Sequence, residues 1–421
     1  MEFKIKDITD SEKEIEIIYT QSELEPYFEK AYREYQKKIE LPGFRKGKAP
    51  IDMIKKIYGE GIEYESLEKI ANDSFQKTAE EQNINFIGTP ALVDMDYKKG
   101  ESVTFKIKYE ITPNFELKNY KGLEFEKLVH EVTEEEVQDE IDRILFYNAE
   151  REDVQSTDGE QYIVHFDVQE LDENGTPLIG RVAKDQSIYL ADKHIYKEFK
   201  DALMNCSVGD MRNIKLPQHE NRPQLNYQLQ IKKIEKIKLP ELNDEFIKKI
   251  TQQKTTSVEE FTQKLRNDIE DYWEDKSRNK LLNAIKEKIV SMHEFSVPNV
   301  IIDNILNSFL DELKERYPNR KLPQNFDIEK FRQQQYELAK FQAKWLLIRE
   351  KIIQAENLQV EDSDIEKFVN EGVAQTGIDR DRLFEYYKNS PELKDNILSQ
   401  KVNQILLSQN KINEIVTDKE I

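Results

Sequence analysis

Apolar and polar residues alternate at both ends of the first 113 residues. Phe3 and Ile5, then Ile15, Ile17 and Tyr19, read as half-buried strands. Val103, Phe105, Ile107, Tyr109 and Ile111 alternate strictly after a Lys99-Gly100 turn. Between these runs the period becomes helical. Phe28, Ala31, Tyr32, Tyr35 and Ile39 line one face of a helix, for which Ser22-x-x-Glu25 offers a capping box. A short helix begins near Pro50 with Ile51, Ile54 and Ile57 inward, and a further one carries Leu67, Ile70, Ala71, Ser74, Phe75 and Thr78. The predicted order over residues 1–113 is β-β-α-α-α-β-β, an α+β head with its helices against one sheet.

Residues 114–150 read as a connector: an extended piece, then a helix opened by Thr133-x-x-Glu136, with Val137, Ile141, Ile144 and Leu145 on one side. Residues 151–238 hold turn signals at Asp158-Gly159 and Asn174-Gly175. The alternating runs Tyr162, Val164, Phe166, Val168 and Tyr227, Leu229, Ile231 mark a small β-rich domain. Residues 239–421 read as helical throughout. Ser257-x-x-Glu260 opens a long helix, Val297-Pro298 ends it and starts another, Phe341, Trp345, Ile348 and Ile352 stripe a third, and Pro391 opens the last. Helices this long with moderate apolar stripes build arms. The fold class predicted is a multidomain α+β protein with a long-helix C-terminal domain.

Length agrees, since 421 residues correspond to roughly three domains. The chain carries 63 basic and 83 acidic residues, a formal net charge of −20, so contact with nucleic acid requires a local basic patch. No glycine stands between Gly209 and Gly372, which denies that stretch a phosphate-cradling loop. The single cysteine, Cys206, excludes an internal disulfide, and the five histidines lack metal-ligand spacing, so no metal or cofactor is expected. The first residues, MEFKIKDITDSEKEIEI, have no apolar stretch, and no run of 18 apolar residues occurs; the expectation is a cytoplasmic protein without a membrane span.

The segment Gly43-Phe44-Arg45-Lys46-Gly47-Lys48-Ala49-Pro50 changes the picture. Two glycines and a proline make a rigid turn that presents an aromatic ring beside three cations. From residue 30 to 60 there are nine basic residues against four acidic, a local charge of +5 inside an acidic chain. Cations suit phosphates, and a ring suits an apolar crevice or a base. A solvated loop with incidental lysines is the plainer alternative.

GFRKGKAP matches the G-F-R-x-G-K-x-P signature of the trigger factor family, the ribosome-associated bacterial chaperones, at every defined position. The order of head, connector, β-rich middle domain and helical region resembles the same family, as do the Leu239-Pro240-Glu241-Leu242 exit and the Ile301-Ile302-Asp303 helix start. The resemblance implies four parts: a ribosome-binding domain at 1–113, a connector at 114–150 packed with the C-terminal domain, an FKBP-like isomerase domain at 151–238 and a helical chaperone domain at 239–421. It further implies an ATP-independent chaperone docked at the exit tunnel of the large ribosomal subunit through Gly43, Phe44, Arg45, Lys46, Gly47 and Lys48, touching protein and rRNA. Its clients would be unfolded nascent chains, and off the ribosome a homodimer is open. Scattered apolar groups such as Phe309, Leu313 and Tyr317, or Phe384, Tyr386 and Tyr387, would hold clients; ordinary helix packing explains each equally.

The same resemblance implies a prolyl isomerase pocket built by Phe166, Ile195 and Phe199, with Ile195 offering a backbone N–H and Phe199 the floor. The sequence departs from that pattern. Glu198 replaces the usual glycine, Leu178-Ile179 stands where an acidic–aromatic pair is expected, and the pocket hairpin is reduced to Pro217–Pro223. A working site and a degenerate spacer both remain open. Rival readings are a dedicated prolyl isomerase, a SurA-like periplasmic chaperone not bound to ribosomes, and a helical scaffold; none of them requires GFRKGKAP.

Overall fold

A computed structural model describes residues 1–217 and 224–417. The head comprises β1 (Glu2–Asp7), β2 (Glu12–Thr20), α1 (Gln21–Lys38), α2 (Ile51–Glu81), β3 (Phe86–Lys98) and β4 (Ser102–Ile111). Its antiparallel sheet runs β1-β2-β4-β3, with Ile15 opposite Ile107, Ile17 opposite Phe105 and Tyr19 opposite Val103. Because side chains alternate across a strand, these residues share one face. They are buried together with Leu24, Phe28 and Tyr32 of α1 and Ile54, Ile62, Leu67, Ile70 and Phe75 of α2.

Three local expectations change. The capping box is Thr20 with Glu23, the Glu23 carboxylate accepting from Thr20 N at 2.9 Å, and not Ser22 with Glu25. Strand β2 runs to Thr20 and the helix follows at once, so Ser22 already lies in the first turn. The two short helices after the loop are one helix of 31 residues, giving β-β-α-α-β-β. Buried positions continue at helical spacing past Gly59 and Gly61, and burial on both sides offsets the cost of about 1 kcal/mol per glycine. Ile57, expected inward, is 54% exposed.

The chain continues through β5 (Glu124–His130), α3 (Glu134–Tyr147), β6 (Glu150–Val154), β7 (Tyr162–Leu171), β8 (Pro177–Tyr189), α4 (Lys197–Leu203), β9 (Met211–Leu216) and β10 (Leu225–Lys238). Thr133 and Glu136 cap α3 reciprocally, as their spacing predicts. Strands β6 to β10 form an antiparallel sheet in the order β6-β10-β7-β8, with β9 also on β10. Tyr162, Val164, Phe166, Leu229, Ile231 and Leu203 fill its core. Glu150 pairs directly with Lys238, so the chain enters and leaves this sheet at adjacent points.

Helices α5 (Asp244–Ile250), α6 (Val258–Met292), α7 (Asn299–Glu315), α8 (Ile328–Ala355), α9 (Asp362–Thr376), α10 (Arg380–Lys388) and α11 (Pro391–Ser408) follow. Ser257 caps α6, its Oγ accepting from Glu260 N at 3.2 Å. That helix stops at Met292, before Val297-Pro298, and His293 to Pro298 is neither helix nor strand, with His293, Phe295 and Val297 buried. The C-terminal region is not helical throughout, since β11 (Lys411–Thr417) pairs with β5. Its partner is nearly 300 residues away, which local periodicity cannot reveal. Two compact units result: residues 1–126 with 280–413, and 127–279 with 414–421. In the first, Ile289, Ile302, Leu306, Ala343, Ile348 and Leu406 join α6, α7, α8 and α11 in one core. Among the described residues no helix is long and apolar enough to cross a membrane.

Candidate functional site

The GFRKGKAP segment forms the tip between α1 and α2. Phe44 N donates to Leu41 O at 3.0 Å and Lys48 N to Arg45 O at 2.9 Å, closing two successive β-turns. The third residue of each turn is a glycine with positive φ, Gly43 at +91° and Gly47 at +78°, a backbone conformation that side chains with a Cβ rarely adopt. Both ends of the loop are anchored: Leu41 and Ala49 are buried in the head's core. Between these anchors Phe44 is 38% exposed, a large ring held in solvent by a rigid frame.

The cations of the tip are free. Among the described residues, Arg45, Lys46 and Lys48 make no ion pair, and neither do Arg33, Lys37 and Lys38 at the adjoining end of α1. Lys55 differs: the Glu29 carboxylate bonds it and raises its pKa above the usual lysine value. The loop is therefore an aromatic ring amid unneutralised charge, the combination that engages phosphates and an apolar crevice together.

The β-rich domain holds a pocket of about 250 Å³ lined by Ser187, Ile188, Tyr189, Asp192, His194, Ile195, Tyr196 and Phe199. Ile195 and Phe199 thus share one cavity. Phe166 is 1% exposed and lies in the core, its ring 6.2 Å from that of Phe199, supporting Phe199 from behind. Ile195 N reaches Asp192 O only at 3.5 Å, the limit of a hydrogen bond, so this donor is nearly free. Ile179 is fully exposed. The shortened hairpin lies in the main outside the described residues, at 218–223. Tyr189 and Tyr196 belong to the pocket and were missed by sequence reasoning; their only signal is position, on the strand end and turn leading to Ile195.

Comparison with known proteins decides the family. The model described as "Bacterial trigger factor protein (TF)" matches residues 1–144, and "Bacterial trigger factor protein (TF) C-terminus" matches 257–408. The trigger factor of Chloroherpeton thalassium is 31% identical over 98% of this chain and 97% of its own length. That of Chlorobaculum tepidum is 31% identical over 99% of each. The chain belongs to the trigger factor family. It is a ribosome-associated chaperone of the bacterial type.

In this trigger factor family member the helical candidates for client contact divide by burial. Tyr386 is exposed, whereas Phe384 and Tyr387 pack against the small core of Ile365, Val369, Leu383 and Ile397. Phe309 packs partly against the larger core, and Leu313 and Tyr317 are half-buried. Three of the histidines serve structure: His165 bonds Glu235 at 2.8 Å, His130 bonds Glu136 at 2.8 Å, and His293 Nε2 accepts from Lys118 N at 2.9 Å. His219 lies outside the described residues. Cys206 is buried beside Thr157, and burial pushes its thiol pKa up.

Proposed function

We propose that this chain docks at the exit tunnel of the large ribosomal subunit through Phe44, Arg45, Lys46 and Lys48, framed by Gly43 and Gly47, and shields emerging chains in the cytoplasm. One observation carries the reading: a buried pair of anchors holds an exposed ring and unpaired cations on a double turn. Residues 1–113 form the docking domain in this reading, and 239–421, with the connector at 114–150, form the holding body. Co-sedimentation of the chain with isolated subunits tests it. Recovery with the large subunit supports the proposal; recovery with neither subunit, or with the small one, contradicts it.

The domain at 151–238 binds peptide loosely in this account, with Ile195 and Phe199 as its contacts. A pocket open to water has little power to desolvate and twist a prolyl amide against a barrier of about 18–20 kcal/mol. A protease-coupled assay on a proline tetrapeptide should show little rate above background. Strong catalysis abolished by Phe199→Ala would show that the pocket is a working isomerase site.

A further inference from the structure

The outward side of α2 changes character along its length. From Glu65 to Glu81 every exposed residue is charged or an amide. Nearer the loop, Met53 is 44% exposed, Ile57 54% and Tyr64 63%. These positions, at i, i+4 and i+11, share one helix face and span about 17 Å at 1.5 Å per residue. Gly61 lies on the same face with open space where a Cβ would stand, which keeps the stripe flat. Helix α1 shows no such stripe; near the loop its exposed residues are the cations Arg33, Lys37 and Lys38, with Glu34 the one acid among them. The tip is two-sided, cationic along α1 and apolar along α2.

We infer that the ribosomal footprint extends from the loop onto the Met53, Ile57 and Tyr64 stripe, and that a ribosomal protein's apolar surface covers it. The inference rests on the loop being the ribosome-binding site. Continuity supports this occupant, since Met53 N donates to Pro50 O at 3.1 Å and the stripe starts on the turn where the loop ends. A docking event that seats Phe44 brings the same turn to the same surface. Charge argues for protein over RNA: beside the stripe Asp52 offsets Lys56 and Glu60 pairs with Lys99 at 3.8 Å, leaving no net attraction for phosphate. The RNA contacts then fall to the loop and the α1 cations.

The test is binding of Ile57→Ser, and of the Met53→Ser/Ile57→Ser/Tyr64→Ser variant, to vacant ribosomes over a range of salt, with helix content checked by circular dichroism. The expected loss is roughly tenfold in affinity, as for a central apolar contact, with the salt slope of the wild type retained. Arg45→Ala/Lys46→Ala is the control and should lower the slope. If the stripe variants bind like wild type while the control fails, the inference falls and the loop reading stands. A reduced slope in the stripe variants would make the occupant RNA and overturn it. Unchanged ribosome affinity with weaker self-association, or with weaker suppression of client aggregation, would assign the stripe to a second copy or to clients, also overturning it. A control that binds like wild type would overturn both readings.

Discussion

Gln36 Nε2 donates to the carbonyl oxygen of Ala49 at 2.5 Å, so the last turn of α1 holds the far end of the signature loop. The bond runs from a helix side chain to backbone, and it fixes the loop without using any of the loop's own side chains. Gln36→Leu should loosen residues 42–49 while leaving Phe44 and the cations in place. A lost hydrogen bond of roughly 1 kcal/mol corresponds to about fivefold weaker ribosome binding. Faster amide exchange confined to the loop, with unchanged helix content, is the expected signature.

Glu110 at the end of β4 caps α7: its carboxylate accepts from Asn299 N at 2.8 Å and Val300 N at 2.9 Å. Two orphan donors of the helix terminus are satisfied this way. Glu110→Ala should cost about 1 kcal/mol in urea unfolding. Gly88 sits close by with φ +71°, and a Cβ there would stand 2.9 Å from Val300 Cγ2. Gly88→Ala should therefore cost roughly 1–3 kcal/mol, with Val300→Ala recovering the steric part only.

Burial first, and then the hydrogen bond to Glu63, raises Tyr97 from 10.0 to about 12. The folded state prefers the neutral phenol. The sign follows: this group's stabilisation is complete below the unfolded value near 10 and declines as pH rises through about 12. The ring resonances of Tyr97 should titrate near 12, and Glu63→Gln should bring the midpoint down part of the way, since burial remains. A midpoint at 10 in the wild type would contradict the buried network.

Deletion of residues 151–238 should preserve suppression of client aggregation. The pairing of Glu150 with Lys238 leaves the two cut ends side by side, so the join strains neither neighbour. Light scattering by a refolding client with equimolar deletion variant measures it. Loss of protection by a variant still folded by circular dichroism would move the holding surface into the β-rich domain.

Much of this architecture was legible in the sequence because its signals are local. Thr133 and Glu136 announce their cap, alternation marks β2, β4, β7 and β10, and Gly43, Gly47 and Pro50 announce the tip. What failed was either ambiguous locally or non-local. Thr20-x-x-Glu23 and Ser22-x-x-Glu25 both satisfy the cap pattern, and only the end of β2 chooses between them. Gly59 and Gly61 look like a break until the head's core is seen burying residues on either side. Strand β11 has its partner in β5, which no window of sequence contains. Of the candidate pocket, Ile195 and Phe199 were reached only through the family resemblance. Tyr189 and Tyr196 were not, since the turn that aims them carries no residue signature.

The central claim is that a rigid, unpaired ring-and-cation loop attaches this chaperone to the ribosome. Binding of wild type and of Phe44→Ala/Arg45→Ala/Lys46→Ala to vacant ribosomes across salt concentrations tests it most directly. The account predicts a wild-type affinity that falls with salt at a slope of roughly −0.7 to −0.9 per phosphate engaged, and no measurable binding by the folded triple variant. Salt-independent binding, or full binding by the triple variant, would contradict it.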